Sequence, residues 1–502
     1  MWKLILILFI AFILRFYHLG NIPPSLNWDE ASVGWNAFSL VKTGTDEYGS
    51  HIPISIRSFG DFKPPILTYA VAGSIFLFNL SEFSVRFPSA FAGTLTVLMV
   101  FLLTRQLSNN KILAYCTSLL LAISPWHLQF SRIAFEASIA LLFFTSAVYF
   151  LVLFQKRQSS VFFLLAILLF CLGFYTHHSV RVIFPLFVAG FVVFNYRIFL
   201  KKIKLLFISG LLLLVLLFPL AYNAWRFGSL QARFSQTSIF YTPGLPQSDK
   251  AFLSSHGPVS GYIEIFAKNY LSHFNFDFLF LTGDKNARHH APDMGQLLLI
   301  QFPLVLLGSY FLFRDKPKWW PIVLWWFLLS PVASALTLEI PHASRSFLFI
   351  IPYQIISAYG LVKLSKLFRP LVILTISFNI FYFFHQYFIH LPIEDAAFWQ
   401  YGYKQVVQKV KKIEDNYPAI YITKSYDQPY IYFLLYGNIN TKTKNPGNFS
   451  EGFGKYKFVE NFNVPSGSLL VLSPSDKVPN VKTIDTVNFP NGSVDFNLTQ
   501  KL

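Results

Sequence analysis

Apolar residues recur in eleven runs of near-membrane length along the first 390 positions, at 2–17, 87–105, 111–127, 135–154, 161–177, 181–200, 204–222, 297–313, 319–338, 346–363 and 369–389. About 20 apolar residues in a helix cover the hydrocarbon core of a bilayer, so each run predicts a membrane-crossing helix. A further run, "PPILTYAVAGSIFLFNL" (64–80), is apolar as well and decides the topology of everything after it. Three stretches break the pattern: 18–86, 223–296 and the chain after about 390. In the last of these, "YGYKQVVQKVKKIEDN" has helical periodicity, whereas "AIYIT" and "SLLVLS" have the short apolar form of strands. The fold class expected is an all-α polytopic bundle over 1–390, followed by a small α/β domain over 391–502. The opening "MWKLILILFIAFILRFY" lacks a small-residue cleavage site and is read as a retained first helix.

Composition agrees with this pattern. The chain has 502 residues, 54% hydrophobic and 13% charged, with 58 Phe, more apolar surface than a water-soluble fold of this size can hide. The net charge of +17 would suit a nucleic-acid partner, but its placement points elsewhere. If 64–80 lies along the interface without crossing and the N-terminus is inside, then Lys3, Arg105, Lys111, Lys156, Arg157, Lys201, Lys202, Lys204, Arg314, Lys316, Lys318, Lys363, Lys366 and Arg369 all fall on the cytoplasmic side. The opposite assignment moves Lys156–Arg157 and Lys201–Lys204 outside, against the positive-inside tendency. The loops 18–86 and 223–296 and the tail are then extracytoplasmic, and no nucleic-acid partner is expected. Cys116 and Cys171 sit in apolar runs, which excludes a disulfide framework or a cysteine zinc cluster.

The runs carry almost no ionisable residue at mid-depth, where ion pathways and proton relays place theirs. Polar chemistry gathers instead at the outer ends of helices: Asp29, Glu30, Asp61, Lys63, Arg86, His127, Arg132, Glu136, His177, His178, Arg181, His342 and Arg345. A carboxylate there can act as general base on an incoming hydroxyl or amine, and Lys or Arg can hold a phosphate. A lipid phosphate presents its headgroup at this depth. Each residue also has a plain structural reading. The acidic pair can cap a helix, Lys63 can snorkel, and Arg86 and Arg345 can anchor helix ends at the headgroups. Glu136 can complement a helix dipole, and the adjacent His177 and His178 point different ways, which disfavours a shared metal. "ARHHAPDMG" (287–295) reads either as a flap or as an ordinary polar turn. The triplet Asn448-Phe-Ser450 is a weak sequon.

The series "WDEASVGWNAFSL", "GDFKPPILTYAVAGSIFLF", "SEFSVRFPSAFAGTLTVLMVFLLTRQL" and "SPWHLQFSRIAFEASIALLFF" resembles the GT-C glycosyltransferases of family 39, which include the protein O-mannosyltransferases and the lipid A aminoarabinose transferases. "FYTHHSVRVIFPLF" and "IPHASRSFLFIIPYQIISAYG" are similar to further segments of bacterial members. The resemblance implies a polyprenyl-phosphate-linked sugar donor, an extracytoplasmic acceptor (protein, lipid or glycan) and inversion at the anomeric carbon, in a prokaryotic plasma membrane. It matches Asp29 to the first-loop acid, with Glu30 beside it, Lys63 of "KPP" to the phosphate-contacting lysine, and Glu136 to the acid of the second outer loop. Arg86 and Arg345 join Lys63 as phosphate ligands; Asp61, His127, Arg132, His178, Arg181 and His342 complete the candidate set. Where those transferases place an acid directly before the lysine, this chain has Phe62, with Asp61 one residue further back, which weakens a metal site there. No cofactor is required, and a divalent metal is compatible but weakly supported. The competing readings are a flippase or transporter of a lipid-linked saccharide, and a polysaccharide ligase or polymerase.

Overall fold

The computed structural model describes residues 2–437 and 449–502, apart from the side chains of 230–233, so Asn448 of the sequon-like triplet lies outside the described residues. Every one of the eleven apolar runs holds a helix: Trp2–Phe16, Glu82–Ser108, Lys111–Ala122, Glu136–Arg157, Ser160–Phe174, His178–Phe194, Ile203–Phe227, Gln301–Asp315, Trp320–Leu329 continued by Val332–Ala335, Ile350–Lys363 and Arg369–His385. Among the described residues, four helical stretches are long and apolar enough to cross a membrane: Glu82–Ser108, Glu136–Arg157, Ile203–Phe227 and Lys366–Glu394. Local chemistry interrupts or bounds some of the others. Pro331 interrupts the run at 319–338 because it has no N–H to donate. Asn110 starts Lys111–Ala122 by accepting from the N–H groups of Ile112 and Leu113. The run at 64–80 forms Ile66–Phe78, whose 13 residues rise about 20 Å, short of a hydrocarbon core of about 30 Å.

The chain divides into two compact units. The first comprises Met1–Tyr17, Gly60–Leu67 and Pro88–Gln386. Among the membrane-length helices, Glu136–Arg157 has 78% of its apolar window buried, whereas Ile203–Phe227 and Lys366–Glu394 have 11%. The last two present Leu, Ile and Phe outward along their length, a surface suited to lipid rather than water. Helices Gln301–Asp315 and Ile350–Lys363 touch backbone to backbone: a Cβ on Gly308 would lie 2.0 Å from Ile356 O, and one on Gly360 2.2 Å from Leu304 O. Small residues at such a crossing give the close packing that membrane helices depend on. The stretch 223–296 is not an open loop. It forms helices Ser229–Thr237, Gln247–His256 and Pro258–Ser272 and a π-turn at Asp277–Leu281.

The second unit comprises His18–Phe59, Thr68–Phe87 and Tyr387–Leu502. Its six-stranded sheet has the order Gly452–Phe453, Tyr456–Val459, Ile420–Thr423, Leu469–Leu472, Val494–Lys501, Val481–Asn488. The central strand Ile420–Thr423 runs parallel to both neighbours, and the outer pairs are antiparallel. Ile420–Thr423 and Leu469–Leu472 are buried at every position, as continuous apolar strands in a covered sheet should be. Helix Tyr403–Ile413 buries Tyr403, Val406, Val407 and Val410, the 3.6-residue stripe anticipated for this segment.

The tail expected as a domain from 391 onward groups here with the first outer loop. Helix Trp28–Thr43 packs on Pro429–Tyr436 so closely that a Cβ on Gly34 would sit 2.9 Å from Val85 Cγ2 and 3.5 Å from Leu435 Cδ1. Tyr432 Oη donates to Leu26 O at 3.2 Å, and Lys404 Nζ lies 2.6 Å from Glu82 Oε1.

Candidate functional site

The acidic pair of the first loop is fixed by a capping box. Asn27 Oδ1 accepts from Asp29 N at 2.9 Å and Glu30 N at 3.1 Å, while Glu30 Oε2 accepts from Asn27 N at 3.2 Å. Beyond the cap the two acids part. Glu30 is fully buried and takes Arg86 Nε at 2.9 Å on Oε1 and Nη2 at 3.1 Å on Oε2. Arg86, also fully buried, gives its remaining donors to Leu19 O (3.2 Å), Pro23 O (2.8 Å) and Ser25 O (2.5 Å). A guanidinium has five N–H groups, and these contacts use all of them. Glu30, expected as a catalytic acid, and Arg86, expected as a phosphate ligand, are here paired with each other in a closed internal clamp that holds the loop to the start of Glu82–Ser108. Asp29 is half-buried in the first turn of its helix.

The other candidates lie in the first unit. Lys63, half-buried, ends the strand Asp61–Lys63, and Pro64 and Pro65 lead into Ile66–Phe78. Asp61 Oδ1 accepts from Phe62 N at 2.7 Å, and Ile66 N donates to Tyr175 O at 3.3 Å, tying this segment to the turn before His177. His177 caps His178–Phe194 by accepting from Ser179 N at 3.3 Å; His178 is its first residue, and Arg181 Nε donates to Phe174 O at 3.1 Å. Glu136 is half-buried at the first position of Glu136–Arg157.

His127 and Arg132 are buried as well. His127 is fully buried, with Nδ1 2.6 Å from Arg15 Nη2 and its ring stacked on Phe347 at 5.9 Å. Arg132 is 1% exposed and donates to Leu14 O and Tyr17 O, both at 2.7 Å, closing the orphan carbonyls at the end of Trp2–Phe16. Both residues join helices together. Arg15, their buried companion, went unnoticed in the sequence because it ends an apolar run like any interfacial arginine.

His342 and Arg345 stand on one turn. Arg345 Nη1 donates to Thr337 Oγ1 at 2.9 Å and Nη2 to Glu339 Oε2 at 3.1 Å. Facing His342 are two residues absent from the candidate set, Asp284 and His289. Asp284 Oδ2 is 2.6 Å from His289 Nδ1 and accepts from Ala343 N at 2.8 Å. Burial raises the Asp284 carboxyl, but His289 and the backbone donors outweigh it and hold the group below its ordinary value. Burial, then the Arg345 charge, pushes His342 well below the usual imidazole range, so it is neutral at physiological pH. Among the described residues, Asp284, His289 and His342 are a group that could hold a metal. Segment 287–295 is a packed element: His289 is 3% exposed, and a Cβ on Gly295 would meet the Phe280 backbone at 2.4 Å.

Residues 62–222 match the family model of dolichyl-phosphate-mannose-protein mannosyltransferases. The chain is 26% identical over 222 residues to an uncharacterized protein of Aquifex aeolicus (43% of this chain, 42% of the relative). It is 30% identical over 159 residues to dolichyl-phosphate-mannose–protein mannosyltransferase 1 of Candida albicans (30% of this chain, 17% of the relative). The matched stretches thus span less than half of these relatives. Over the whole chain the fold is similar to that of ArnT from Cupriavidus metallidurans, with a TM-score of 0.60 at 11% identity and coverage of 99% of this chain and 97% of ArnT. ArnT has also been solved bound to undecaprenyl phosphate, and that structure superposes with a TM-score of 0.59. The fold of this chain is thus similar to that of ArnT, and its 62–222 segment is similar in sequence to the protein mannosyltransferases.

Proposed function

We propose that the protein moves a sugar from a polyprenyl-phosphate donor to an extracytoplasmic acceptor, inverting the anomeric carbon. Asp29 takes the proton of the acceptor hydroxyl or amine as that atom attacks C1. The bond between C1 and the phosphate oxygen breaks, and the polyprenyl phosphate leaves as an anion. Lys63 and Arg345 offset the charge of the phosphate, a task that needs no metal. Residues Asp61, Glu136, His178 and Arg181 are proposed to shape the donor and acceptor environment. The membrane is proposed to be a prokaryotic plasma membrane, with residues 18–86 and the tail facing outward.

One observation carries this reading: the capping box and the Glu30–Arg86 clamp fix the first turn of Trp28–Thr43 while leaving Asp29 half-buried. A general base has to be held in place and remain reachable. The undecaprenyl phosphate of the ArnT structure supports the donor class.

The test uses the full chain in proteoliposomes with a radiolabelled polyprenyl-phosphate sugar and envelope extracts as acceptor. Wild-type protein should move label to the acceptor, and D29N should lower transfer about 10²- to 10⁴-fold while retaining donor binding. K63A should raise the donor KM by roughly 10- to 100-fold, the effect of losing one charged hydrogen bond of about 1.5–3 kcal/mol. Donor crossing the bilayer with its sugar bond intact would establish the flippase reading instead. Transfer of long preassembled chains would establish the ligase or polymerase reading.

A further inference from the structure

The turn after Asp277–Leu281 and the turn after Val332–Ala335 are far apart in sequence, yet they bring Asp284, His289 and His342 together. One carboxylate oxygen and one nitrogen from each imidazole all lie within 4.8 Å of one another. The side chains of His289, Asp284 and His342 are 4%, 3% and 13% exposed, and the two rings stand 4.9 Å apart at 49°. We propose that these three residues bind one divalent transition metal of the zinc class, which ties segment 284–295 to the turn carrying Arg345.

The donor set points to that class. Two imidazoles and one carboxylate suit zinc and its borderline neighbours, whereas magnesium and calcium require oxygen ligands almost throughout. The carboxylate is already oriented: Oδ1 accepts from Asn286 N at 3.0 Å and Oδ2 from Ala343 N at 2.8 Å, and the Asp284 carbonyl receives His290 Nε2 at 2.9 Å. Such outer contacts hold metal-binding side chains in position. Tetrahedral ligands at 2.0–2.1 Å from zinc lie about 3.3 Å apart, within reach of ligand atoms that already lie within 4.8 Å of one another. His289 then exchanges its hydrogen bond to Asp284 for a shared metal. Glu339 Oε2, 3.7 Å from His342 Nε2 and 3.1 Å from Arg345 Nη2, offsets the Arg345 charge beside the site. The fourth position falls to Glu339 or to water. His273 is not part of the set, since its Nε2 faces Ser334 Oγ at 2.7 Å.

The experiment uses the full chain in detergent, stripped with chelator and then dialysed against micromolar zinc alone, with magnesium alone as comparison. Mass spectrometry should find one equivalent of zinc, retained in excess magnesium, and cobalt should give the visible bands of a low-symmetry site. H289Q and H342Q should lose at least about 100-fold in affinity, the upper end of what even an outer contact costs, while H256Q, on an exposed histidine, keeps the equivalent. If either histidine variant fails to fold, hydrogen exchange of the wild-type chain decides. Zinc should then protect 284–295 and 340–345 together. Failure to retain zinc, equal retention by H289Q and H342Q, or no change in exchange in these two segments would overturn the proposal. None of these readouts depends on sugar transfer, so they stand or fall separately from the proposed reaction.

Discussion

The clamp under Asp29 and the turn under Arg345 bury charge in different ways. In the clamp, Glu30 and Arg86 are both fully buried, and all five guanidinium N–H groups end on protein oxygens. In the turn, the Arg345 side chain is 14% exposed and its acidic partner Glu339 is 74% exposed. A saturated ion pair has nothing left to offer a ligand and acts on the backbone around it. A charge at the edge of solvent can exchange partners at small cost. Residue type does not separate these roles, since both are Arg–Glu pairs near helix ends; saturation does.

The largest expected effect is on the acid held by the clamp. D29N should lower transfer about 10²- to 10⁴-fold, the usual worth of a general base, with yield and thermal midpoint unchanged. Retained activity in D29N would dissolve the distinction between Asp29 and Glu30. Next comes the clamp itself. R86M strands a buried carboxylate and should cost about 3–5 kcal/mol, read as a fall in chemical-denaturation stability, whereas E30Q/R86M should recover much of that loss. An R86M protein of normal stability that loses only donor affinity would return Arg86 to the phosphate.

A third test concerns the sheet of the same unit. Asp495 is 2% exposed and accepts from Gly402 N at 3.0 Å, and burial pushes its carboxyl up to about 7. Between the unfolded value of about 4 and the folded value the native state therefore binds the extra proton, so stability falls as pH rises through that window. D495N should flatten this dependence and raise the thermal midpoint by several degrees at pH 8, with little change at pH 4. The smallest effect is expected for Y432F, which removes the donor to Leu26 O and should cost about 1 kcal/mol. A reduced transfer rate at unchanged KM in Y432F would show that the tail helps to position the first loop.

Much of this was legible in the chain. Each apolar run became a helix, and "NWDE" carries the spacing of a capping box, with Asn27 rather than either acid as the cap. Two central strands of the tail were visible in "AIYIT" and "SLLVLS"; Val481–Asn488 was missed because it is mostly exposed, and Val494–Lys501 because Asp495, Asn497 and Thr499 break its apolar pattern. The helices of 223–296 were missed because Gly, Ser and Asn diluted their periodicity.

The sequence by itself determined which segments are helical, which are apolar enough for lipid and where chemistry-bearing side chains gather, because those properties follow from neighbours within a turn or two of chain. Only the tertiary structure decided that Glu30 meets Arg86 across 56 positions, that Arg132 caps the first helix, and that Asp284 faces His342. The energies that fix such pairings come from desolvation and hydrogen bonding between distant segments, and no local pattern encodes which distant segment arrives.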